Sequence, residues 1–283
     1  MYNESMENFN KYERSIITTY RKEIWRPFVQ AVKEYELIND GDKIAVCVSG
    51  GKDSMILAKC MQELYKYGKR NFELKFICMN PGYNQINYDQ IVNNAELLDI
   101  PIEIFDSNIF DVVADIKDNP CYLCARMRRG CLYSKAQSLG CNKIALGHHF
   151  NDVVETVLLG IMYNGRVQSM MPKLHSDNFE NMELIRPLYK VREKSIINWS
   201  NYNKLNFIKC ACKFTASMSL TGDGTFDGKR QEMKKLVEYL LTLNNQADYN
   251  IFNSIHNVNL DTLIGWKKDK SSFSFLENYD KNK

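Results

Sequence analysis

One short stretch sets the terms for the whole chain: Ile44-Ala-Val-Cys-Val48, followed at once by Ser49-Gly50-Gly51-Lys52-Asp53-Ser54. A run of β-forming residues gives way to small ones. Apolar residues then recur at helical spacing (Ile56, Leu57, Cys60, Met61, Leu64), which predicts a strand, a tight turn and a helix. Gly50 and Gly51 permit positive φ and let a ligand reach bare backbone. The amides of such a turn and of the helix start converge on one point, which suits a phosphate. Lys52 adds a positive charge there, and Asp53 a carboxylate able to hold a metal ion that bridges phosphates. The run is neither a P-loop, which needs G-x-x-x-x-G-K-[ST], nor a G-x-G-x-x-G dinucleotide fingerprint.

The rest of the chain repeats the strand-then-helix rhythm. Further strands are expected at Leu74 to Met79, Ile102 to Phe105, Lys143 to Gly147 and Glu183 to Leu188, with a helix around Gln90 to Leu98. This alternation predicts an α/β fold: a Rossmann-like parallel sheet of about five strands with helices on both faces. Ligands of such sheets sit beyond the carboxyl ends of the strands, so Ser49, Met79 and Gly147 are expected around one pocket. The 283 residues divide into an N-terminal helical segment (1–40), the nucleotide-binding domain (41–205) and a C-terminal helical tail (206–283). In the first segment Ile24, Trp25, Phe28, Val29, Val32 and Tyr35 form the apolar stripe, and Arg21, Lys22, Arg26 and Lys33 a solvated face. In the tail Met233, Leu236, Val237, Leu240 and Leu241 predict one amphipathic helix, and Ile251 to Ile255 a shorter one.

Composition excludes several classes. A formal net charge of +3 is too small for a generally nucleic-acid-coating protein, so any such surface is a local patch. No apolar run of about 18 residues suggests a membrane span, and residues 1–7 lack the layout of a signal peptide. Nine cysteines, an odd number scattered through strands and helices, do not form a secreted disulfide framework. The expected compartment is the cytoplasm, where thiols stay reduced and can act as ligands.

Two more stretches carry chemistry. Leu146-Gly147-His148-His149-Phe150-Asn151-Asp152 opens a helix at the end of a strand, with Asn151 or Asp152 as cap and Asp152 as a second candidate for a metal or nucleotide. Pro120-Cys121-Tyr-Leu-Cys124-Ala-Arg126-Met-Arg128-Arg129-Gly130 puts two thiols at a helix start, where thiolate is favoured. Spacing alone leaves three readings level there: zinc with the later pair Cys210/Cys212, a dithiol relay, or an iron–sulfur cluster with three cysteines and one open iron. Cys47, Cys60 and Cys78 fall inside strand and helix patterns and read as core, and Cys131 and Cys141 as structural. Arg126, Arg128 and Arg129, with Arg166, Lys173 and Arg192 further on, are candidate phosphate contacts.

The S-G-G-K-D-S run resembles the pyrophosphate loop of the PP-loop ATPases, which cleave ATP between the α and β phosphates and leave AMP on the substrate. Over roughly Arg21 to Arg192 the likeness extends to G-H-H-x-[DN]-D-x-x-E-T, a pattern of PP-loop tRNA-modifying enzymes; Asn151 stands here where an aspartate is usual. The motif C-x-L-C-x-R-x-R-R-G from Cys121, with a later cysteine pair, is similar to the tRNA 2-thiocytidine synthetases (the TtcA family). The resemblance implies an ATP- and Mg²⁺-dependent tRNA sulfurtransferase that adenylates the 2-position of cytidine 32 in the anticodon loop and replaces its oxygen by sulfur. It implies nucleotide binding by Ser49, Gly50, Gly51, Lys52, Asp53, Ser54, Met79, Gly147 and His148, with Lys52, Asp53 and Asp152 as catalytic residues and Asp53 on magnesium. It implies a [4Fe–4S] cluster on Cys121, Cys124 and Cys210. Cys212 is the substitute for Cys210, because the family often reads P-C-x-x-C-G where this chain has Lys209-Cys-Ala-Cys-Lys213. Partners implied are tRNA, a cysteine desulfurase as sulfur source, and a second copy in a homodimer. Rival readings are a lysidine synthetase-like ligase, a uridine thiolase on the same fold, and a non-catalytic nucleotide-binding module with structural zinc.

Overall fold

A computed structural model describes residues 11–107, 109, 120–208, 226–269 and 271–279; for residues 120–122, 125, 226, 227 and 278 it describes the backbone only. Cys210, Cys212 and the Thr221 to Thr225 turn lie outside the described residues, as does the side chain of Cys121.

The chain opens with helix α1 (residues 11–17) and a π-helical stretch, Arg21–Trp25, that runs into α2 (Arg26–Glu34). Then come β1 (Lys43–Cys47), α3 (Lys52–Tyr67), β2 (Glu73–Asn80), α4 (Gln85–Leu97) and β3 (Ile102–Asp106). The next units are α5 (Pro120–Ser138), β4 (Lys143–Ala145), α6 (Phe150–Asn164), β5 (Lys173–His175), β6 (Glu183–Ile185) and α7 (Glu193–Tyr202). The C-terminal part contains α8 (Phe226–Leu243), α9 (Ala247–Ser254) and a hairpin of β7 (Gly265–Lys268) and β8 (Ser271–Ser274).

Six strands pair in the order β3-β2-β1-β4-β6-β5. Every pairing is parallel except β5 with β6, in which Leu174 faces Leu184. The antiparallel edge strand was not legible, because three residues are too few for any alternation to show. The C-terminal hairpin also departs from the expected all-helical tail. Asp269 turns it at φ 49°, and Trp266 stacks on Phe273 with ring centroids 5.6 Å apart.

Period-two alternation on β1 builds two cores. Ile44, Val46 and Val48 face a large cluster with Met55, Leu57 and Cys60 of α3, Phe28 and Val32 of α2, and Ile196 and Trp199 of α7. Ala45 and Cys47 face the opposite cluster, with Tyr133 and Ala136 of α5. Helices therefore cover both faces, as a buried parallel sheet requires. A third cluster seats the C-terminal helices: Met233 and Val237 of α8 and Phe252 of α9 pack on Phe150, Val153 and Leu158 of α6.

The strand order reverses between β1 and β4. The chain moves outward from β1 to β2 and β3, then returns to β4 on the other side. The crevice at that reversal is where such sheets bind ligands.

Candidate functional site

The turn after β1 is closed by one hydroxyl. Ser54 Oγ accepts from the Ser49 amide at 3.1 Å and donates to the Gly51 carbonyl at 2.9 Å, and Ser49 Oγ lies 3.2 Å from it. Gly50 has φ 83°, whereas Gly51 is extended, with φ −79°, and is the N-cap of α3. No side chain caps that helix, so its first-turn amides stay open toward the crevice, the arrangement that binds anions.

Lys52 Nζ lies 3.1 Å from Asp53 Oδ2 and 3.1 Å from Glu193 Oε1 at the start of α7. Burial pulls the Lys52 ammonium down, but the two carboxylates outweigh it and hold its pKa above the ordinary value. Asp53 Oδ1 is buried without a hydrogen-bond partner, with His149 Nε2 3.8 Å away. An orphaned carboxylate oxygen beside an open helix N-terminus fits a cation carried in with phosphates. Magnesium suits it, since that ion uses one or two carboxylates and keeps several waters. Among the described residues no group of three or more His, Cys, Asp or Glu side chains forms a metal cage.

The second strand end faces the first. Gly147 is packed so tightly that an added Cβ would stand 3.0 Å from the Asp53 carbonyl and 3.1 Å from the Ser54 amide. His148 follows, its Nδ1 buried without a partner, and burial lowers its pKa to about 4, so the ring is neutral at pH 7. His149, not Asn151 or Asp152, is the N-cap of α6. The Asp152 amide donates to His149 Nδ1 at 3.4 Å, and the His149 amide to Asp152 Oδ2 at 2.8 Å, a capping box. Asn151 instead accepts from the Glu193 amide at 3.0 Å and so closes the start of α7, which lacks a capping side chain of its own. Asp152 Oδ1 accepts from Arg230 of α8 at 2.6 Å. Burial raises the Asp152 carboxyl, but His149 and Arg230 outweigh it and leave it below the usual range. Both oxygens of Asp152 thus have protein partners, unlike those of Asp53.

Ser49, Asp53, Ser54 and Met79 line one cleft with Gly147, His148 and Asp152. Its volume is about 420 Å³, within the span of small-molecule sites. Gly50, Gly51 and Lys52, in the same loop between Ser49 and Asp53, are not among the residues lining it. The far wall is α5: Arg128, Arg129 and Leu132 line the same cleft. Pro120 opens that helix, a position where its missing amide costs nothing. Cys124, one turn before Arg128, is half-buried and packs on the small cluster of Met79 and Ile109. Cys121 stands in the first turn, i to i+3 from Cys124.

The remaining cysteines separate by burial. Cys47, Cys60 and Cys78 are 7%, 0% and 1% exposed. Burial pushes the Cys47 and Cys60 thiols far up and that of Cys78 to about 11, so none is a thiolate. Cys141 is buried and Cys131 half-buried. Among the basic candidates, Arg126 and Arg166 are exposed, and Lys173 donates to the Glu36 carbonyl at 3.2 Å. Arg192 is committed to the buried Asp248 and lies over the Phe150 ring, so it ties α9 to the sheet domain.

Three residues around the cleft escaped the sequence reading. Arg186, inside the expected fifth strand, lies just past β6, 7% exposed, with Nε unpartnered and its pKa drawn down to about 10 by burial and by Arg129. Glu193 meets Lys52 with one oxygen and Lys234 of α8 with the other, the latter at 2.7 Å. Burial raises its carboxyl, but Lys234 and Lys52 prevail and take it to about 2. Arg230 bridges Asp152 and Glu155. No local motif marks these residues.

Comparison with known proteins agrees with this geometry. Residues 20–213 match the model of the PP-loop domain family. The chain is 35% identical, over 241 residues, to the tRNA-cytidine(32) 2-sulfurtransferase of Geobacter sulfurreducens, covering 84% of this chain and 90% of that protein. It is also 35% identical to the enzyme of that name from Aliivibrio fischeri, covering 87% and 80%. Among solved structures, the U34-tRNA thiolase NcsA from Methanococcus maripaludis with its [4Fe-4S] cluster superposes with a TM-score of 0.62. That match covers 82% of this chain and 76% of that one; at 22% identity it shows the shared fold.

Proposed function

Since the chain belongs to the PP-loop family and, within it, to the tRNA-cytidine(32) 2-sulfurtransferases, we propose that it uses ATP to replace the 2-oxygen of cytidine 32 in the tRNA anticodon loop by sulfur. The observation that carries this reading is one cleft with two walls. On one side stand the open α3 amides and the unpartnered Asp53 oxygen; on the other stands α5 with Arg128, Arg129 and Leu132, and Cys124 lies one turn earlier on that helix, packed on Met79, which itself lines the cleft.

The roles follow from the contacts. The 2-oxygen of a cytosine is a poor leaving group, so it attacks the α-phosphate and pyrophosphate departs. The amides of Ser49 to Ser54 and the Lys52 ammonium hold that pyrophosphate, in the manner of preorganised donors. Asp53 holds Mg²⁺. Met79 and Gly147, at the ends of the two strands that flank β1, border the nucleoside. Neutral His148 offers its ring to the nucleotide, and Asp152 orients the start of α6. A sulfur nucleophile then attacks C2, and AMP leaves with the former 2-oxygen. A [4Fe–4S] cluster would be held by Cys121, Cys124 and Cys210 or Cys212, and would supply an iron able to carry that sulfur. A target base in a single-stranded loop can be splayed into the cleft, with Arg128 and Arg129 near its phosphates.

A cysteine desulfurase as sulfur source, a homodimer and a cytoplasmic location complete the proposal. No helix among the described residues is long and apolar enough to cross a membrane. In this proposal residues 1–40 form an N-terminal segment, 41–205 the nucleotide-binding domain and 206–283 a C-terminal tail.

The test is a pair of variants assayed anaerobically with tRNA, ATP and sulfide. Asp53→Asn abolishes AMP formation and keeps the brown colour of the cluster. Cys121→Ala loses the colour and 2-thiocytidine, read by mass analysis of tRNA nucleosides. Undiminished thiolation in the cysteine variant would refute the cluster's role. A lysine adduct on cytidine, or thiolated uridine, would establish one of the rival enzymes.

A further inference from the structure

Lys52 is the one cation of the pyrophosphate loop, and two carboxylates hold it. Asp53 is its neighbour in sequence, and the fold calls Asp53 to a second task, the metal. Glu193 comes from a different helix and has no place in the loop motif. Its position is tightly determined. Its amide is bound by Asn151 Oδ1 at 3.0 Å, one carboxylate oxygen meets Lys52 at 3.1 Å, and the other meets Lys234 at 2.7 Å. The side chain is 17% exposed, so this contact is shielded as a surface ion pair would not be.

We propose that Glu193 is a positioning residue for Lys52, holding the ammonium over the loop after Asp53 has turned to the metal–nucleotide. The inference rests on the pyrophosphate-loop reading above. Its physical basis is the number of partners Lys52 needs. A flexible four-carbon stem with a point charge has no preferred direction of its own. With Asp53 as sole partner the ammonium would follow that carboxylate toward the metal or swing into solvent. With Glu193 fixed at the start of α7 it retains one anchor throughout. Asn151 then acquires a reason to be an asparagine: its amide oxygen accepts from the α7 amide, and it brings no third negative charge beside Asp53 and Asp152. Glu193 adds a negative charge near a polyanionic ligand, so its value lies in geometry at the transition state and not in ground-state affinity.

That distinction sets the experiment. Glu193→Gln in the full chain is assayed for AMP formation with tRNA, and for affinity toward magnesium with an ATP analogue carrying a methylene between the α and β phosphates. The expected result is a kcat about tenfold lower, the effect of one misplaced hydrogen bond to a charged group, with analogue affinity unchanged or tighter. An unchanged kcat would overturn the proposal, as would affinity weakened in step with kcat, because general disorder of the site predicts the latter. Val237→Ala loosens the packing of α8 on α6 without touching Glu193 or Lys52, and its kcat is expected within about twofold of the parent. A loss equal to that of Glu193→Gln would assign the effect to helix docking and sink the proposal. Should the glutamine variant fold poorly, Glu193→Asp keeps the charge at the helix start, withdraws it by one methylene, and is expected to show the same split. A parent chain that forms no AMP defeats the functional reading and this inference together; AMP formation that Glu193→Gln equals defeats the inference alone.

Discussion

Replacing Gly50 by alanine separates two glycines that look equivalent in the motif. Gly50 has φ 83°, and a Cβ there would lie 2.4 Å from Ile91 Cγ1 and 2.8 Å from Ile208 Cδ1. The left-handed backbone costs an alanine about 1–2 kcal/mol. Forcing a methyl group against Ile91, itself 1% exposed, costs about 1–3 kcal/mol more. Together these predict a loss of about 2–5 kcal/mol, or a Tm lowered by roughly 5–15 °C for a chain of this size. At Gly51 the backbone is extended, and the nearest atoms to an added Cβ are Ser49 Oγ at 3.8 Å and the Ile208 carbonyl at 3.9 Å. Gly51→Ala is therefore expected to cost no more than about 1 kcal/mol, the scale of a changed N-cap. Its methyl group would instead obstruct a phosphate at the α3 amides and weaken ATP binding. Urea unfolding followed by the fluorescence of buried Trp199, with nucleotide binding by calorimetry, reads both effects. Equal destabilisation of the two variants, or a Gly50→Ala chain as stable as the parent, would refute the assignment of strain to Gly50.

Two further outcomes follow from the charges around the cleft. The His148 pKa is lowered from 6.5 to about 4, so between those values the unfolded chain binds more protons than the folded one. Its contribution to stability is complete above about pH 6.5 and is lost as pH falls toward 4; His148→Gln should be less sensitive than the parent to a change from pH 7 to 5 in urea unfolding. Glu193, lowered from 4.5 to about 2, contributes stability that is complete above about pH 4.5 and is lost as pH falls toward 2, so its window lies mostly below that of His148. Arg230→Met removes the partner of Asp152 and Glu155, whose side chains are 17% and 9% exposed. The expected loss is about 2 kcal/mol, the low end for hydrogen bonds to charged groups given a half-exposed arginine, with earlier proteolytic cleavage in α8; unchanged stability would show that the bridge contributes nothing.

Much of the architecture and the cleft was legible because both depend on short-range pattern. Val46 and Val48 alternate with Ala45 and Cys47, which declares a strand with two buried faces. Ser49 to Ser54 then carries small residues, a cation and a carboxylate within one turn of helix. Sheet chirality and strand-end geometry bring Met79, Gly147 and His148 to the same crevice, since a parallel sheet reversing between β1 and β4 has its opening there.

What only the tertiary structure decided concerns groups that meet from far apart in the chain. Sequence could not distinguish Gly50 from Gly51, because the positive φ of the first and the Ile91 and Ile208 side chains standing where its Cβ would go exist only in the folded chain. It could not tell the occupied carboxylate of Asp152 from the open oxygen of Asp53, because Arg230 comes from a helix 78 residues later. Nor could it enlist Glu193, which reaches Lys52 only after α7 has docked on α3. Local pattern reports the conformations a segment favours; partners, and hence charge states and strain, exist only once distant segments are packed together.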